Sequence, residues 1–307
     1  MVTAWTDLYA FEAFLDDGGI VEADDDMPVE YRKAVFSFIE LHANSELMGA
    51  LTERDWVTRT PGLRQKVSAL AKTQDEIGHA QLLYMVAADM GIKDRGEMVD
   101  DLFSGKSQFH HVLQHRAETW GDQVAISFLV DSAAMAFQQG VFKKCSYGPY
   151  RRILERIISE EGFHMRLGED QVMRIADGTD IQRETFQDAL DRWFWPALQI
   201  FGSDSKPDDN LLRWHIKSER NEVLRHRWVQ QFVPMLQNYG FTVPAPELTY
   251  DERTDTYDVG PIDWDPVRAT LDRITPDSAR RIDEARDNRA RTRWVREAME
   301  SAAERLQ

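Results

Sequence analysis

Two Glu-x-x-His pairs, Glu76/His79 and Glu161/His164, each follow a lone acid by the same interval, and this repetition limits the fold more than any other feature. Glu46 stands 30 residues before Glu76, and Asp131 stands 30 residues before Glu161. The midpoints of the two intervals fall at Pro61-Gly62 and within Ser146-Tyr147-Gly148-Pro149, both rich in turn-forming residues. Around the first acid, Val35, Phe38, Ile39, His42, Glu46 and Gly49 recur at three- and four-residue steps, which marks one helix face. Each interval therefore reads as an antiparallel helical hairpin. Residues equidistant from a turn lie opposite each other, about 22 Å down each leg at ~1.5 Å per residue. Glu46 should face Glu76, and Asp131 should face Glu161. One Glu-x-x-His pair alone would serve equally as a surface contact, since spacing three only places both side chains on one face.

The remaining periodicity completes the outline. A second helix is expected from near Pro61 to about Gly91 and a third over roughly 117–144, with Val124, Phe128, Asp131 and Met135 on one stripe. A fourth runs through Ile153, Ile157, Glu161, His164 and Gly168 to about Ala176. More helix is expected at roughly 182–201 and 208–238, then an extended arm over 240–266 with one hairpin, then a charged helix near 276–306. The connection from about 91 to 117 is long enough to cross the end of a bundle. Two antiparallel hairpins joined by a crossover make an all-α, ferritin-like four-helix bundle, with extra C-terminal helices and an extended arm. The domain reading is a variable segment at 1–27, a helical domain with a metal site at 28–239, and an arm and helix at 240–307. That last piece either belongs to the same domain or meets a partner.

A single cysteine, Cys145, excludes an internal disulfide, a thiolate zinc cluster and a protein-ligated Fe–S cluster. Histidine and carboxylate ligands remain, which suit iron or manganese as well as zinc. The formal charge of −16 argues against nucleic acid and anionic membrane surfaces. No apolar run approaches the ~20 residues of a membrane span, and the acidic N-terminal stretch Asp24-Asp25-Asp26 is no signal peptide, so a cytoplasmic protein is expected.

The acids of the repeat sit in stripes that are otherwise apolar. Buried unpaired carboxylates are costly enough to be protonated or to bind cations. Four carboxylates from Glu46, Glu76, Asp131 and Glu161 would neutralise two divalent ions. Oxidation to two trivalent ions leaves a surplus that a bridging oxygen species can offset, so the charge count favours O2 chemistry. Lys72 lies four residues before Glu76 and can pair with a carboxylate inside the bundle; an ordinary surface pair is the alternative. Asp75 and Glu160 each precede a repeat glutamate, and can orient the histidine of the opposite hairpin or else face solvent. The segment Trp193-Phe194-Trp195-Pro196-Ala197-Leu198 is expected to pack a fifth helix on the bundle rather than bind a ligand. His110, His111 and His115 lack acids at ligand spacing and read as loop or partner-contact residues.

Beyond the repeat, the stretches Lys72-Thr73-Gln74-Asp75-Glu76-Ile77-Gly78-His79, Leu129-Val130-Asp131-Ser132-Ala133-Ala134, Ser146-Tyr147-Gly148-Pro149-Tyr150 and Glu160-Glu161-Gly162-Phe163-His164 stand out. So do His42-Ala43-Asn44-Ser45-Glu46, the tryptophan segment ending Ile200-Phe201-Gly202, Ile262-Asp263-Trp264 and Trp294-Val295-Arg296-Glu297-Ala298. In these the chain resembles the catalytic subunits of the multicomponent phenylacetyl-CoA epoxidases of aerobic phenylacetate breakdown. The resemblance runs from about Pro28 to near the C-terminus; aspartate at position 131 is a mark of it, and the first ~25 residues do not share it. It implies a di-iron monooxygenase that inserts one atom of O2 across carbons 1 and 2 of the phenyl ring of phenylacetyl-CoA. Glu46, Glu76, His79, Asp131, Glu161 and His164 would then be the iron ligands. It also implies three partners: a homologous non-catalytic helical subunit, a small accessory subunit, and a reductase carrying flavin and a 2Fe–2S cluster that draws on NADPH. The residues agree on one point independently. The chain has neither cluster cysteines nor a G-x-G-x-x-G nucleotide fingerprint, so electrons must come from another protein.

Two other readings stand beside this one. A ferroxidase or iron-storage protein would not need ~130 residues beyond a four-helix core. A non-catalytic scaffold subunit would be expected to lose ligands. For the CoA phosphates the candidate contacts are Arg32, Lys143, Lys144, Arg151, Arg152 and Lys217, each also readable as solvated surface charge.

Overall fold

The computed structural model describes Trp5 and residues 7–203, 206–271 and 276–305. Helix α1 (Leu8–Asp16) starts where the Asp7 carboxylate accepts the Ala10 N–H. Two long helices, α2 (Val29–Val57) and α3 (Leu63–Ala88), form the first hairpin about a turn containing Pro61 and Gly62. After α4 (Arg95–Phe103) the chain runs through a short 3-10 turn at His111–Gln114 into α5 (Trp120–Ala125), a π-helical segment (Ile126–Val130) and α6 (Asp131–Phe142). Helix α7 (Gly148–Ala176), with Pro149 in its first turn where proline is tolerated, closes the second hairpin. Then come α8 (Asp180–Leu198), α9 (Lys206–Arg213), α10 (Asn221–Asn238), a hairpin of β1 (Thr249–Asp251) and β2 (Thr256–Asp258), α11 (Asp265–Leu271), α12 (Pro276–Arg291) and α13 (Arg293–Glu304). The architecture is the all-α bundle expected from the repeat, with the arm's hairpin in place.

Apolar packing gathers into two large cores and one small one, and both large cores draw on the helices that carry the repeat. One gathers Phe11, Tyr31, Ile39, Leu83, Leu154 and Ile157 from α1, α2, α3 and α7. The other gathers Phe128, Phe186, Phe194, Trp228 and Phe232 from the π segment, α8 and α10. Trp228 stacks on Phe232 at 5.1 Å while its indole N–H donates to Ser132 Oγ, so the ring is buried with its polar atom satisfied. Burial of each such side chain contributes roughly 1.5–3 kcal/mol. The continuous helix Trp120–Phe142 has the length and hydropathy of a membrane span, but 72% of its most apolar stretch is buried inside the protein, as befits the central helix of a bundle.

The structure departs from the sequence outline at four places. The helix expected over 208–238 breaks at residues 214–220, where His215 takes a positive φ of 54° and the Trp214 carbonyl accepts from Ser146 Oγ. The break lets that loop cap the α6–α7 turn, a tertiary demand that periodicity cannot express. The crossover carries a helix of its own, α4, with a reciprocal capping box between Asp94 and Glu97. The terminal helix is interrupted at Thr292. The N-terminal segment, expected to be variable, seats Phe11 and Leu15 in the core and locks Glu22 to Arg152 through two bonds of 2.8 and 2.7 Å. At the other end α12 lies against the bundle: Ile282 packs on Met48 and Leu102, and Arg281 Nη1 donates to the Leu113 carbonyl.

The π segment depends on one close approach. A Cβ at Gly168 of α7 would stand 2.4 Å from the Ser127 carbonyl oxygen and 2.9 Å from Phe128 N. Replacing Gly168 by alanine should therefore cost about 1–3 kcal/mol of unfolding free energy in a denaturant titration, the usual range for forced overpacking. An unchanged midpoint would show that the π turn yields freely.

Candidate metal centre

The four helices of the two hairpins turn one face toward each other, and the repeat residues lie on it. Glu46 comes from α2, Glu76 and His79 from α3, Asp131 from the first position of α6, and Glu161 and His164 from α7; all six are buried. The π segment ends immediately before Asp131, so the extra residue in that turn sets the direction of its side chain. Ligand atoms of Glu46, Glu76, His79 and Glu161 lie within 4.8 Å of one another. His79 Nδ1 is 3.4 Å from oxygens of both Glu46 and Glu161 and is aligned for a hydrogen bond with neither. His164 Nδ1 lies 3.1 Å from Glu161 and 3.5 Å from Glu76, so Glu161 stands between the two rings. A buried nitrogen without an aligned partner, inside a ring of carboxylates, is the donor set of a divalent metal site.

The outer nitrogens of the two rings are held crosswise. His79 Nε2 bonds Glu160 of α7 at 2.8 Å, and His164 Nε2 bonds Asp75 of α3 at 3.2 Å. Each hairpin thus orients the other's histidine and leaves Nδ1 facing the acids, as a metal ligand requires. Asp131 is placed differently. Its carboxylate accepts from Lys72 Nζ at 2.6 Å, and the same ammonium reaches Glu53 at 2.8 Å. Glu53 in turn accepts from Gln123. Asp131 therefore stands beside the four-residue group rather than inside it, tethered by a buried cation.

The charges show what the cluster lacks. Burial, then repulsion from Glu46 and Glu161, holds the Glu76 carboxyl well above the usual range. Burial also pushes Glu46 up, but the hydrogen bond from His42 and the closeness of the His79 ring outweigh it and hold Glu46 well below. Burial pulls His79 down, yet Glu161 and Glu46 overcome it and drive the ring up to about 11. Burial raises Asp131 to about 6 against the pull of Lys72. Protons and one lysine are thus the cations that balance this cluster of acids.

A cavity of about 400 Å3 opens onto the acids Glu46, Glu76, Asp131 and Glu161. Its wall is chiefly apolar, with Phe38, Leu41, Val130, Phe137, Ile200 and Phe201. His110 and His115 lie in loop, as one of the two readings expected, and also line it. His110 donates to the Ile200 carbonyl, and burial pushes it down to about 4 and His111 to about 2. Trp193 packs the fifth helix by donating to Asp122, as expected, and also faces the cavity. Among the candidate phosphate contacts, Lys217 is the one that lines the cavity, where its ammonium donates to Asn221 and lies over the Phe137 ring. Lys143 and Lys144 are exposed, and Arg152 is engaged by Glu22.

Three contacts escaped the sequence reading. His42 joins Glu46 to the Tyr150 hydroxyl through bonds of 2.8 Å at each ring nitrogen. Gln138 Nε2 approaches His42 at 3.3 Å. Glu53 shares Lys72 with Asp131. Both His42 and Glu53 lie on the Glu46 stripe, at four residues before and seven after it, so helical spacing alone could have found them.

A family model described as phenylacetic acid catabolic protein matches residues 4–303, which corrects the expectation that the first ~25 residues lie outside the resemblance. The chain is 37% identical over 291 residues to one of the subunits of the 1,2-phenylacetyl-CoA epoxidase of Escherichia coli (strain K12), an alignment that covers 94% of each protein.

Two outcomes test the site. Replacing Glu160 by glutamine or Asp75 by asparagine should lower metal affinity roughly 10–100-fold, the usual effect of losing a carboxylate that orients a ligand histidine. Metal uptake should also release protons, because Glu76 and His79 hold them when no ion is bound and must give them up to bind one. Both groups have raised folded pKa values, so affinity should climb as pH rises through the neutral range. Calorimetry in buffers of different ionisation enthalpy reads the proton count, and pH-independent affinity would contradict this balance.

Proposed function

The chain belongs to the phenylacetic acid catabolic protein family, and from that premise we propose that it is the di-iron subunit of an oxygenase that converts phenylacetyl-CoA to its ring 1,2-epoxide. The observation that carries this reading is the buried carboxylate–histidine cluster opening onto a largely apolar cavity. Glu46, Glu76, His79, Asp131, Glu161 and His164 would hold two iron ions, and the bound irons supply the two-electron activation of O2. The rest falls to the chain's own residues. The crossed pairs His79–Glu160 and His164–Asp75 keep both rings aimed at the acids. Lys72 holds Asp131 and Glu53 in position and keeps its proton, because burial's downward pull is outweighed by those two carboxylates. His42 and Tyr150 steady Glu46 from the cavity side.

The cavity suits the acyl half of the substrate. Its volume lies in the usual range of ~300–1,000 Å3 for small-ligand pockets. Phe137, Phe201 and Ile200 offer an aromatic and aliphatic surface for a phenyl ring and exclude water from the reacting carbons. Lys217, at the same wall, is the best placed of the candidate contacts for the polar part of the thioester. Nothing favours the ferroxidase reading: an apolar chamber beside the acids is of no use to a substrate that is a hydrated ion.

The reading demands partners. One buried cysteine cannot hold an Fe–S cluster, so electrons would come from another protein, and the resemblance implies a flavin and 2Fe–2S reductase that draws on NADPH. Two further chains, one a helical homologue without catalytic activity and one a small accessory protein, would complete a cytoplasmic complex. The purified chain alone should be inactive toward phenylacetyl-CoA with NADPH. Supplied with its partners and 18O2, it should yield an epoxide carrying one labelled oxygen by mass spectrometry. Robust turnover by the isolated chain, or an unlabelled product, would overturn the assignment.

A further inference from the structure

The acids and histidines of the cluster are buried, but along the seam between α3 and α7 each ring is hydrogen-bonded to a carboxylate that is partly exposed. The outer nitrogens of His79 and His164 end on Glu160 and Asp75, whose side chains keep 33% and 30% of their surface exposed. Phe163 follows Glu160 by three residues and so shares its face of α7. It is 39% exposed and sets its ring edgewise against His164, with centroids 5.9 Å apart.

Gly78 holds the corresponding place on α3, three residues after Asp75. Glycine in a helix interior costs about 0.5–1 kcal/mol relative to alanine. Here a Cβ would meet no atom within 4 Å, so nothing inside the chain requires glycine. The missing side chain leaves the histidine–carboxylate pairs open to a close approach from outside.

We propose that this seam, formed by Asp75, Gly78, Glu160 and Phe163, is the docking and electron-entry surface for a protein that carries a one-electron redox group. The proposal rests on the oxygenase reading above and adds where the electrons cross. Reducing equivalents must enter through the protein surface, and at the seam one partly exposed carboxylate and one imidazole form a continuous path from the surface to the cluster. Phe163 supplies an apolar contact for the donor, and Gly78 lets the donor's backbone come close. Each passage moves one electron: the donor is oxidised by one, one iron goes from Fe(III) to Fe(II), and no bond forms or breaks. Two passages return the centre to its reduced state.

The test uses the iron-loaded chain in complex with its helical homologue, and a purified flavin/2Fe–2S reductase of the oxygenase class with NADPH. Gly78→Arg places a long side chain on the seam without a clash inside the fold. Leu70→Lys, on the exposed outer face of α3, serves as control. Gly78→Arg should slow anaerobic reduction of the iron by the reductase, and weaken calorimetric binding of the reductase to the metal-free chain, each about ten-fold or more. Iron content and reduction by dithionite with methyl viologen should match the parent, and Leu70→Lys should match it in every measurement. Parental reduction by the reductase in Gly78→Arg would overturn the proposal. So would release of the helical homologue, which would make the seam a contact within the complex. If dithionite fails to reduce iron in the parent protein, the oxygenase reading itself falls, and the proposal with it.

Discussion

Gathering carboxylates in the nearly buried interior is the constraint on which this bundle depends. Glu46, Glu76, Asp131 and Glu161 meet between four helices, with Glu53 close behind. Removing one partner from a buried charge pair typically costs about 3–5 kcal/mol, so such a group of acids persists only if cations accompany it. Lys72 is one such cation and serves Asp131 and Glu53 together. The remainder of the group, around Glu46, Glu76 and Glu161, is held by two histidines whose inner nitrogens face only these acids. A stability requirement and a functional one thus point to the same kind of occupant, a bound metal.

The surrounding fold can be understood as support for that cluster. Two large apolar cores take in residues of the repeat helices themselves, so the acids rest on rigid elements rather than loops. The π segment sets the aim of Asp131, and Gly168 gives it the room it needs. Arg281 of α12 reaches across to the Leu113 carbonyl, beside the cavity wall, which makes the C-terminal helix part of the scaffold around the chamber.

Much of this is legible in the sequence because helices have one strong period. Two equal intervals, each with a turn at its midpoint, place Glu46 opposite Glu76 and bring Asp131 near Glu161. The same arithmetic identifies Asp75, Glu160 and Lys72 as neighbours of the acids. What it misses follows from the same logic. A π turn shifts the register by one residue without any sequence mark. The break after α9 answers a hydrogen-bonding need of Ser146, from a different hairpin. His110 and His115 lie in loop as expected, but their place in the apolar cavity wall carries no sequence mark, because buried imidazoles that burial holds neutral need no acid nearby. Glu53 is within reach of sequence reasoning, since it lies two turns along the stripe that carries Glu46.

The central claim is that the six repeat residues hold two metal ions as one coupled unit, even though Asp131 is tethered by Lys72. Mössbauer spectroscopy of protein loaded with 57Fe(II) and then oxidised addresses it most directly. The account predicts two irons per chain in similar nitrogen and oxygen surroundings, coupled to a diamagnetic ground state in the oxidised form. A single uncoupled iron per chain, with Asp131 replaceable by asparagine at no loss of metal, would contradict it.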